Sequence, residues 1–556
     1  MAISTFEKLH HSLTCCPTEN DLVERVDGLK NVALQLHQKR ALAWLLWREK
    51  QDPSGGLLAD DMGLGKTLTM IALVIKSLKL EPDGGIKNQF QNGKYYGGTL
   101  VVCPASLINQ WSNEVQKRTR KNVLATAVYH GTTREIKPKR LASYDMVIST
   151  YGTVRSESQN NGVIFRIKWH RIILDEAHQI RNNENSTFDA IYKLSSKSRW
   201  AMTGTPIHNN ELDMYSILKF LRCSPFDDPK VWKKWFNDKS AEGQNRLRIF
   251  VSSLMLRRTK DELMEKGILR SLPVKKFELV LIKLDKHEMD AYKKFLATST
   301  TLFNQFVQQN GKKVKPNIPK TKKPTQTTMD ENNILVQLLR LRQLCCHPFL
   351  VKKVNEKPKT TNLLEQMNKL TIKNEDLDSV FSENRQSSKI KILLKMLKEK
   401  IVSQNDKAIV VSQWTSFLQL IAIHLKKNTI KFDNLDGSIA IKERANIVDK
   451  FNDPKCDTKV LLLSLTAGGV GLNLSGANHL FLMDLHWNPQ MEKQAQDRIY
   501  RIGQTKPVFI YKFMAVGTIE ERIKAIQEEK LKLAGSILSE PDKLTIQDLK
   551  LLFNFK

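Results

Sequence analysis

The sequence predicts an α/β protein with two doubly wound, parallel-sheet lobes and helical insertions. Apolar, β-branched runs alternate with helical patterns in two separate regions, and each run ends in a cluster of turn-forming residues. Near-continuous apolar strands separated by helices are typical of parallel sheets that are covered on both faces. The length of 556 residues also exceeds what one compact core can hold. Functional residues are therefore expected at the carboxyl ends of the strands.

The first lobe is predicted from runs such as TLVVCPAS, YDMVISTY and RIILDEAH, and the second from KAIVVSQW, KVLLLSLTAGG and HLFLMDLHW. The stretch between the lobes is mostly helical in pattern. It contains a Lys- and Pro-rich segment without apolar periodicity, 310–328, which we expect to be a disordered loop. In chain order, the predicted parts are an N-terminal extension (1–30), the first lobe (31–222), helical protrusions and a linker (223–354), a polar insert (355–387), the second lobe (388–521) and C-terminal helices (522–556).

The charge balance favours a polyanionic partner. With 88 Lys and Arg against 58 Asp and Glu, the formal net charge is +30, which indicates nucleic acid ahead of an anionic membrane surface, although solubility alone also explains a basic chain. The longest apolar runs fall far short of the ~20 residues that a membrane span needs, so no membrane partner is expected. Seven scattered cysteines indicate a reducing compartment without a disulfide framework.

The stretch GGLLADDMGLGKTLTM resembles a phosphate-binding loop between a strand and a helix, except that Asp60 stands where the first glycine is expected. Backbone N–H groups at the helix start would face the phosphates. Lys66 would lie between the β- and γ-phosphates, and Thr67 would give its hydroxyl to Mg2+. A purely structural glycine turn is the alternative. The ATP-binding residues predicted in this loop are Asp61, Met62, Gly63, Leu64, Gly65, Lys66 and Thr67.

Two adjacent carboxylates, Asp175 and Glu176, follow the buried strand pattern of RIIL. A Mg-ATP site needs one carboxylate beside the metal and another that orients the attacking water. We assign Asp175 to Mg2+ and Glu176 to the water, and the cofactors expected are ATP and Mg2+. Carboxylates that merely cap a helix are the alternative, and it is weakened by the phosphate loop about a hundred residues earlier.

Two arginines far along the chain, Arg498 and Arg501, lie three residues apart in QMEKQAQDRIYRIGQ. On a helix they would project from one face. Arginines that reach a γ-phosphate from the second lobe would stabilise charge in the transition state only when the lobes close. A solvated basic helix face is the alternative for an isolated pair of this kind.

Taken together and in order, DDMGLGKT, DEAH, TGTPIHNN, LMLRRTK, VVSQWTSFLQLI, LDGSIAIKER, DLHWNP and QAQDRIYRIGQ resemble the helicase-like ATPases of the Swi/Snf type over about residues 30 to 530. The resemblance implies two RecA-like lobes. It also implies that an acidic residue at Asp60 is a family trait. Two positions depart from the usual pattern: Asp61 stands where most relatives have Glu, and His208 where most have Gln.

The resemblance also implies roles for residues that would otherwise be read as ordinary turn or surface residues. Gln38 would read the adenine. His178 and the Thr203-Gly204-Thr205 turn would couple hydrolysis to lobe movement. The positions that match DNA-backbone contacts in the family are Pro104, Ser106, Thr150, Ser412, Gln413, Trp414, Thr466, Gly468 and Gly469.

The function implied is that of a nuclear, monomeric ATPase that depends on double-stranded DNA, tracks along it without strand separation and displaces bound complexes, foremost a transcribing RNA polymerase. Nucleosome remodelling and DNA-repair translocation are the alternatives within the family. An RNA helicase is disfavoured by LDGSIAIKER and DLHWNP, and an inactive DNA-binding scaffold by the intact catalytic set. Cys345, Cys346 and His347 lack the spacing of a zinc site and are expected in the core.

Overall fold

Two mostly parallel β-sheets organise the molecule. A computed structural model describes residues 2–80, 89–204, 211–236, 240–269, 272–310, 331–352, 379–465, 472–533 and 552, and all structural statements below concern these residues. Most of the predicted loop and of the polar insert lies outside them, as do Thr205, Thr466, Gly468 and Gly469. Among the described residues, no helix is both long and apolar enough to cross a bilayer.

The first sheet has eight strands in the order β4-β5-β3-β6-β7-β1-β8, and the short β2 pairs with β3 in antiparallel fashion. Its central strands are apolar on both faces, and apolar clusters lie on each side of the sheet. This arrangement matches the predicted covered parallel sheet. The strands are β1 (Gly55–Leu58), β2 (Phe90–Gln91), β3 (Lys94–Cys103), β4 (Thr126–Tyr129), β5 (Met146–Thr150), β6 (Ile167–Leu174), β7 (Ser195–Met202) and β8 (Met255–Leu256).

The second sheet has six parallel strands in the order β11-β12-β10-β13-β14-β9. Two further apolar clusters cover its faces. The strands are β9 (Lys275–Ile282), β10 (Ala408–Ser412), β11 (Phe432–Leu435), β12 (Val460–Ser464), β13 (His479–Leu482) and β14 (Val508–Ala515).

Helices cover both sheets and build the region between them. In the first lobe they are Leu36–Arg48, Lys66–Leu80, Ile108–Arg118, Pro138–Ala142, Tyr151–Ser158, Ser186–Lys193 and Glu211–Leu221. The N-terminal and intermediate helices are Ala2–Thr14, Pro229–Phe236, Ala241–Leu254, Lys260–Glu265, Lys286–Asn310, Glu331–Cys346 and Phe349–Lys352. In the second lobe they are Ser388–Met396, which continues as a π-helix over Leu397–Val402, then Thr415–Lys427, Ile441–Asn452, Pro489–Gln496 and Ile519–Leu533.

The sheets differ from the predicted domain division at one place. The range 223–354 was expected to be helical, but β8 pairs with β1 in the first sheet and β9 pairs along its whole length with β14 in the second. The second sheet therefore recruits a strand more than a hundred residues before the predicted start of its lobe at 388. The strand was missed because it lies at the sheet edge, where Phe277 and Leu281 remain 55% and 58% exposed and no continuous buried run results.

Candidate active site

The phosphate loop lies between β1 and the Lys66–Leu80 helix, as predicted. Gly63 and Gly65 have φ values of +83° and +81°, which favour glycine. A Cβ on Gly65 would lie 2.3 Å from Gln38 Nε2, and one on Gly63 would lie 2.7 Å from Arg501 Cβ. Both glycines therefore permit a close approach as well as an unusual backbone conformation.

Asp60 has a defined structural task at the position where a glycine was expected. Its carboxylate accepts hydrogen bonds from Arg258 Nε at 3.1 Å and Nη2 at 2.5 Å. Arg258 also donates through Nη1 to the carbonyl of His37 at 2.6 Å. The acidic residue thus fastens the phosphate loop to the segment that follows β8.

Lys66 points toward a cluster of acids. Its Nζ donates to the carbonyls of Asp60 at 2.6 Å and Asp61 at 3.2 Å. Burial lowers the pKa of this ammonium group, and the carboxylates of Glu176, Asp60, Asp175 and Asp61 oppose that shift. The lysine is therefore held beside the paired acids, in a position to bind the phosphates of a polyphosphate ligand.

Asp175 and Glu176 follow β6. Asp175 Oδ2 accepts a hydrogen bond of 2.7 Å from the Trp111 indole N–H, and Oδ1 accepts one of 3.0 Å from the Glu176 backbone. Burial and the neighbouring Glu176 charge raise the pKa of Asp175 to about 6. Glu176 has a left-handed backbone with φ of 51°, and its Oε2 lies 3.4 Å from His178 Nδ1.

Arg498 and Arg501 are brought to the same place from the second lobe. The expectation that they share a helical face is wrong in detail, because the helix ends at Gln496 with Asp497 as its C-cap, and both arginines follow it. Burial lowers the pKa of Arg498 to about 10, with Glu176 opposing the shift and Arg501 reinforcing it. Arg501 Nη1 donates to the Leu472 carbonyl at 3.3 Å, and the Ile502 N–H donates to the Gly63 carbonyl at 3.4 Å.

One cavity of about 240 Å³ between the lobes collects most of these groups. Gln38 also borders it, 4% exposed, with its Nε2 donating to the Leu64 carbonyl at 3.3 Å. Met62 lines one side of the cavity, and Leu64 is a buried residue of the loop. The predicted site residues that line the cavity are Gln38, Met62, Gly63, Gly65, Lys66, Thr67, Asp175, Glu176, Arg498 and Arg501.

The donor set fits a magnesium-bound triphosphate. Ammonium and guanidinium groups match phosphate oxygens, and a hydroxyl with a carboxylate is the protein share that Mg2+ commonly takes beside phosphates. Within the described part of the chain, the buried Glu176 Oε2 is approached by His178 Nδ1 at 3.4 Å and by no other hydrogen-bond donor. A buried carboxylate oxygen in that state is ready for a water molecule. Thr67 and Asp175 are the residues that would hold the metal.

The turn after β7 lies against the phosphate loop. A Cβ on Gly204 would lie 2.2 Å from Met62 Cγ and 3.3 Å from Lys66 Nζ. Thr203 is 2% exposed at the start of this turn. Gly204 therefore lies against the phosphate loop, the Thr203 N–H donates to the Leu58 carbonyl of β1 at 3.2 Å, and His178 Nδ1 lies 3.4 Å from Glu176.

Comparison with known proteins identifies the family of the chain. A model of the SNF2-related domain matches residues 37–350, and one of the helicase conserved C-terminal domain matches residues 388–503. The chain belongs to the SNF2-related family. Membership confirms the predicted resemblance and fold class, and makes the chain an ATP-hydrolysing, helicase-like enzyme.

Three relatives show which proteins this SNF2-related ATPase is similar to. Transcription termination factor 2 of Drosophila melanogaster is 44% identical over 100% of the chain and 62% of its own length. The probable global transactivator of Orgyia pseudotsugata multicapsid polyhedrosis virus is 33% identical over 93% of the chain and 94% of its own. The DNA repair protein RAD5B of Arabidopsis thaliana is 31% identical over 90% of the chain and 47% of its own. The chain thus spans less than two thirds of two of these relatives.

Among solved structures, the Sulfolobus solfataricus SWI2/SNF2 ATPase core in complex with double-stranded DNA is 28% identical. The match covers 96% of this chain and 98% of that one, with a TM-score of 0.40.

In the first lobe of the SNF2-related ATPase, two predicted DNA contacts share a groove. Pro104 follows β3, Thr150 is the last residue of the neighbouring β5, and both line a cavity of about 520 Å³ together with Arg134. Ser106 lies beside them in a short 3-10 helix. The Thr150 hydroxyl accepts a hydrogen bond from the Thr153 N–H at 3.0 Å and is 3% exposed. At this position, DNA would therefore meet the first turn of the Tyr151–Ser158 helix rather than a free Thr150 hydroxyl.

In the second lobe, the structure does not support direct DNA contact by Ser412. This residue is 1% exposed, and its hydroxyl donates to Asp484. Gln413 donates to Asp484 at 2.6 Å and accepts from Arg342 at 2.6 Å. The Trp414 ring lies over the same Arg342, 5.4 Å from its guanidinium carbon. These groups brace one another within the lobe.

Three residues that contact the predicted site or the turn beside it carry no role in the sequence analysis. Trp111 binds Asp175, Arg258 binds Asp60, and Lys260 binds Asp497 across the lobes at 2.7 Å. Arg258 and Lys260 lie in the segment LMLRRTK, where a cluster of cations beside apolar residues was the available sequence signal for such a role. Cys345 and Cys346 lie in apolar clusters, and both ring nitrogens of His347 are hydrogen-bonded to backbone groups.

Proposed function

We propose that this SNF2-related ATPase hydrolyses ATP between its lobes, moves along double-stranded DNA without separating the strands and displaces a transcribing RNA polymerase. The observation that carries the proposal is an interlobe cavity lined by Lys66 and the paired acids from one lobe and by Arg498 and Arg501 from the other. A site that is complete only when both lobes contribute makes hydrolysis and lobe position interdependent.

The residues divide the work of phosphoryl transfer by their charge and place. Lys66, Arg498 and Arg501 surround the position of the terminal phosphates and stabilise the charge that develops there. Bound magnesium would neutralise part of the triphosphate charge. Glu176, whose buried Oε2 lies 3.4 Å from His178 Nδ1 in the described structure, orients the attacking water. Gln38 donates a hydrogen bond to the phosphate loop from the side on which the adenine would lie.

Charge also supplies the reason for opening. Burial and the neighbouring Arg501 of the same lobe lower the pKa of Arg498, and Glu176 of the first lobe opposes that shift. A γ-phosphate would offset the repulsion between the two arginines and bind Lys66 of the first lobe as well, so its release favours separation of the lobes. Alternate closing and opening shifts the grip of the two lobes on the DNA backbone in turn.

The net charge of +30 supports a grip on phosphates, which is largely independent of sequence and sensitive to salt. The groove bordered by Pro104 and Thr150 provides first-turn backbone N–H groups, and Arg134 beside it provides a cation. We propose that the protein acts in the nucleus as a monomer.

Displacement of polymerase is supported by the 44% identity to transcription termination factor 2. The test is release of labelled nascent RNA from a polymerase stalled on immobilised DNA. We expect release that requires ATP and is lost in Lys66→Ala. Nucleosome sliding and regression of a model replication fork are measured in parallel, because DNA repair proteins are also relatives. Sliding or fork regression without RNA release would replace the proposal by that activity.

A further inference from the structure

We infer that Lys260 is a positioning residue for both arginine fingers. The inference rests on the proposed function, in which Arg498 and Arg501 act on the terminal phosphate. Lys260 follows β8 of the first sheet, yet its Nζ donates to Asp497 Oδ1 at 2.7 Å and to the Tyr500 carbonyl at 2.5 Å in the second lobe. Asp497 directly precedes Arg498, and Tyr500 directly precedes Arg501. One ammonium group therefore holds the chain at the residue before each finger.

The contact is shielded from water. The side chains of Lys260 and Asp497 are each 5% exposed, and the Lys260 Nζ lies 5.1 Å from the centre of the Tyr500 ring. Charges in such a site are weakly screened, and removal of one partner leaves the other uncompensated. The pair thus fixes the chain around the fingers with a precision that an exposed pair would lack.

Lys260 is itself fixed to the phosphate loop. The Ala59 N–H donates to the Leu256 carbonyl at 2.8 Å, and the Asp61 N–H donates to the Arg258 carbonyl at 3.0 Å. The Lys260 backbone N–H donates to Asp61 Oδ2 at 3.3 Å.

The helix that Lys260 begins is also held in place. It starts at a capping box, in which Thr259 and Glu262 satisfy each other's backbone N–H groups. A continuous set of contacts therefore leads from the phosphate loop through Lys260 to the turn that carries the fingers.

The expected consequence is a defect in the transition state rather than in ATP binding. Lys260→Met frees the turn after the Pro489–Gln496 helix, so the guanidinium groups lose their fixed distance from Lys66. A displacement of about 1 Å can cost on the order of 10²-fold in turnover. We expect kcat to fall by about that factor with the KM for ATP changed less than about twofold, which is the pattern of a lost transition-state interaction.

The experiment compares Lys260→Met, Lys260→Arg, Asp497→Asn and the double variant Lys260→Met/Asp497→Asn, with saturating duplex DNA. Lys266→Met is the matched control, because this lysine of the same region forms an exposed pair with Glu19. Affinities for ADP and for ADP with aluminium fluoride, which mimics the transferring phosphate, are measured beside kcat. We expect Lys260→Met and Asp497→Asn to bind ADP normally and to lose affinity for the fluoride complex. Lys260→Arg should recover part of kcat, and Lys266→Met should match the parent.

Stability is separated from positioning by the double variant, which removes both charges and so leaves none buried alone. We expect its melting temperature to recover while kcat stays low. Recovery of kcat in that variant, or a kcat within twofold of the parent in Lys260→Met, would overturn the inference. Arg498→Ala and Arg501→Ala are assayed in parallel. If these lower kcat and Lys260→Met does not, the inference fails alone; if they have no effect, the proposed function fails with it.

Discussion

At the scale of single residues, the environment of Asp175 decides how well the site holds a metal. Its two oxygens accept hydrogen bonds from the Trp111 indole and from the Glu176 backbone, so the carboxylate cannot rotate freely. Outer partners of this kind orient a ligand and raise its effective affinity for the ion. Trp111 is 1% exposed and combines this role with core packing, which a control variant must separate.

Trp111→Phe should raise the Mg2+ concentration for half-maximal ATP hydrolysis by about 10- to 100-fold, the usual loss when such a partner is removed. Trp200→Phe is the control, since Trp200 is equally buried in the same apolar cluster and donates its indole N–H to Glu49 at 2.8 Å. Binding of a fluorescent ATP analogue with and without Mg2+ gives a second measurement. An equal shift in Mg2+ requirement for both variants would assign the effect to packing.

Glu176→Gln should abolish DNA-stimulated ATP hydrolysis, by on the order of 10²-fold or more, because the amide cannot accept a proton from the attacking water. The change keeps the shape of the side chain, so duplex DNA binding measured by fluorescence anisotropy should stay within about twofold of the parent. Substantial turnover in this variant would remove Glu176 from its proposed role.

The residues that the sequence predicts to be catalytic are those with local signatures. Lys66 follows a glycine turn and Asp175 ends an apolar strand, so each is marked by its neighbours. Trp111 and Asp175 are 64 residues apart, and Lys260 and Asp497 are 237 apart. Nothing near these partners in sequence indicates the other, because the Trp111 contact exists only after the first lobe has folded and the Lys260 contact only after both lobes have met.

At the scale of elements, the second lobe depends on a buried ion pair between its first and last described helices. Lys389 Nζ, in the Ser388–Met396 helix, contacts Glu520 of the Ile519–Leu533 helix at 2.7 Å, and their side chains are 0% and 2% exposed. Lys389 also donates to the Met483 carbonyl at 2.7 Å, and Glu520 accepts from the Ala515 N–H at 2.7 Å. The pair therefore joins two helices to the ends of β13 and β14.

Lys389→Met should destabilise the second lobe by about 3–5 kcal/mol, because it leaves the Glu520 charge buried without a partner. The double variant Lys389→Met/Glu520→Leu should regain much of that loss. Lys395→Met is the control on the same helix, where the lysine is 73% exposed. Thermal and urea denaturation of the full chain provide the measurement, and similar transitions for Lys389→Met and Lys395→Met would contradict the assignment.

Element boundaries show where pattern reasoning reaches its limit. Strands β5, β10 and β12 are buried at every position and were visible as apolar runs. β9 lies at an edge and has a mixed pattern, so only its partner β14 reveals that it is a strand. The helix before Arg498 similarly ends earlier than periodicity suggests, because Asp497 caps it.

At the scale of the whole molecule, the proposed function links nucleotide and DNA through the same lobe movement. The interlobe contacts converge on the phosphate loop, where Arg501 packs on Gly63 and Lys493 lies 3.4 Å from Asp61. DNA binds residues of both lobes under the proposed function. If nucleotide and DNA both prefer the closed arrangement, binding of either one must increase the affinity for the other. The factor must be the same in both directions.

This linkage gives a quantitative expectation. Replacement of ADP by ADP with aluminium fluoride should change duplex DNA affinity by a factor in the usual range of about 5 to 150, and duplex DNA should change affinity for the fluoride complex, relative to ADP, by the same factor. Fluorescence anisotropy of labelled duplex and titration of the nucleotide supply the two values. In Arg501→Ala the factor should fall toward one, because the γ-phosphate position no longer engages the second lobe. A coupling that persists undiminished in that variant would mean that the lobes communicate by another route than the finger turn.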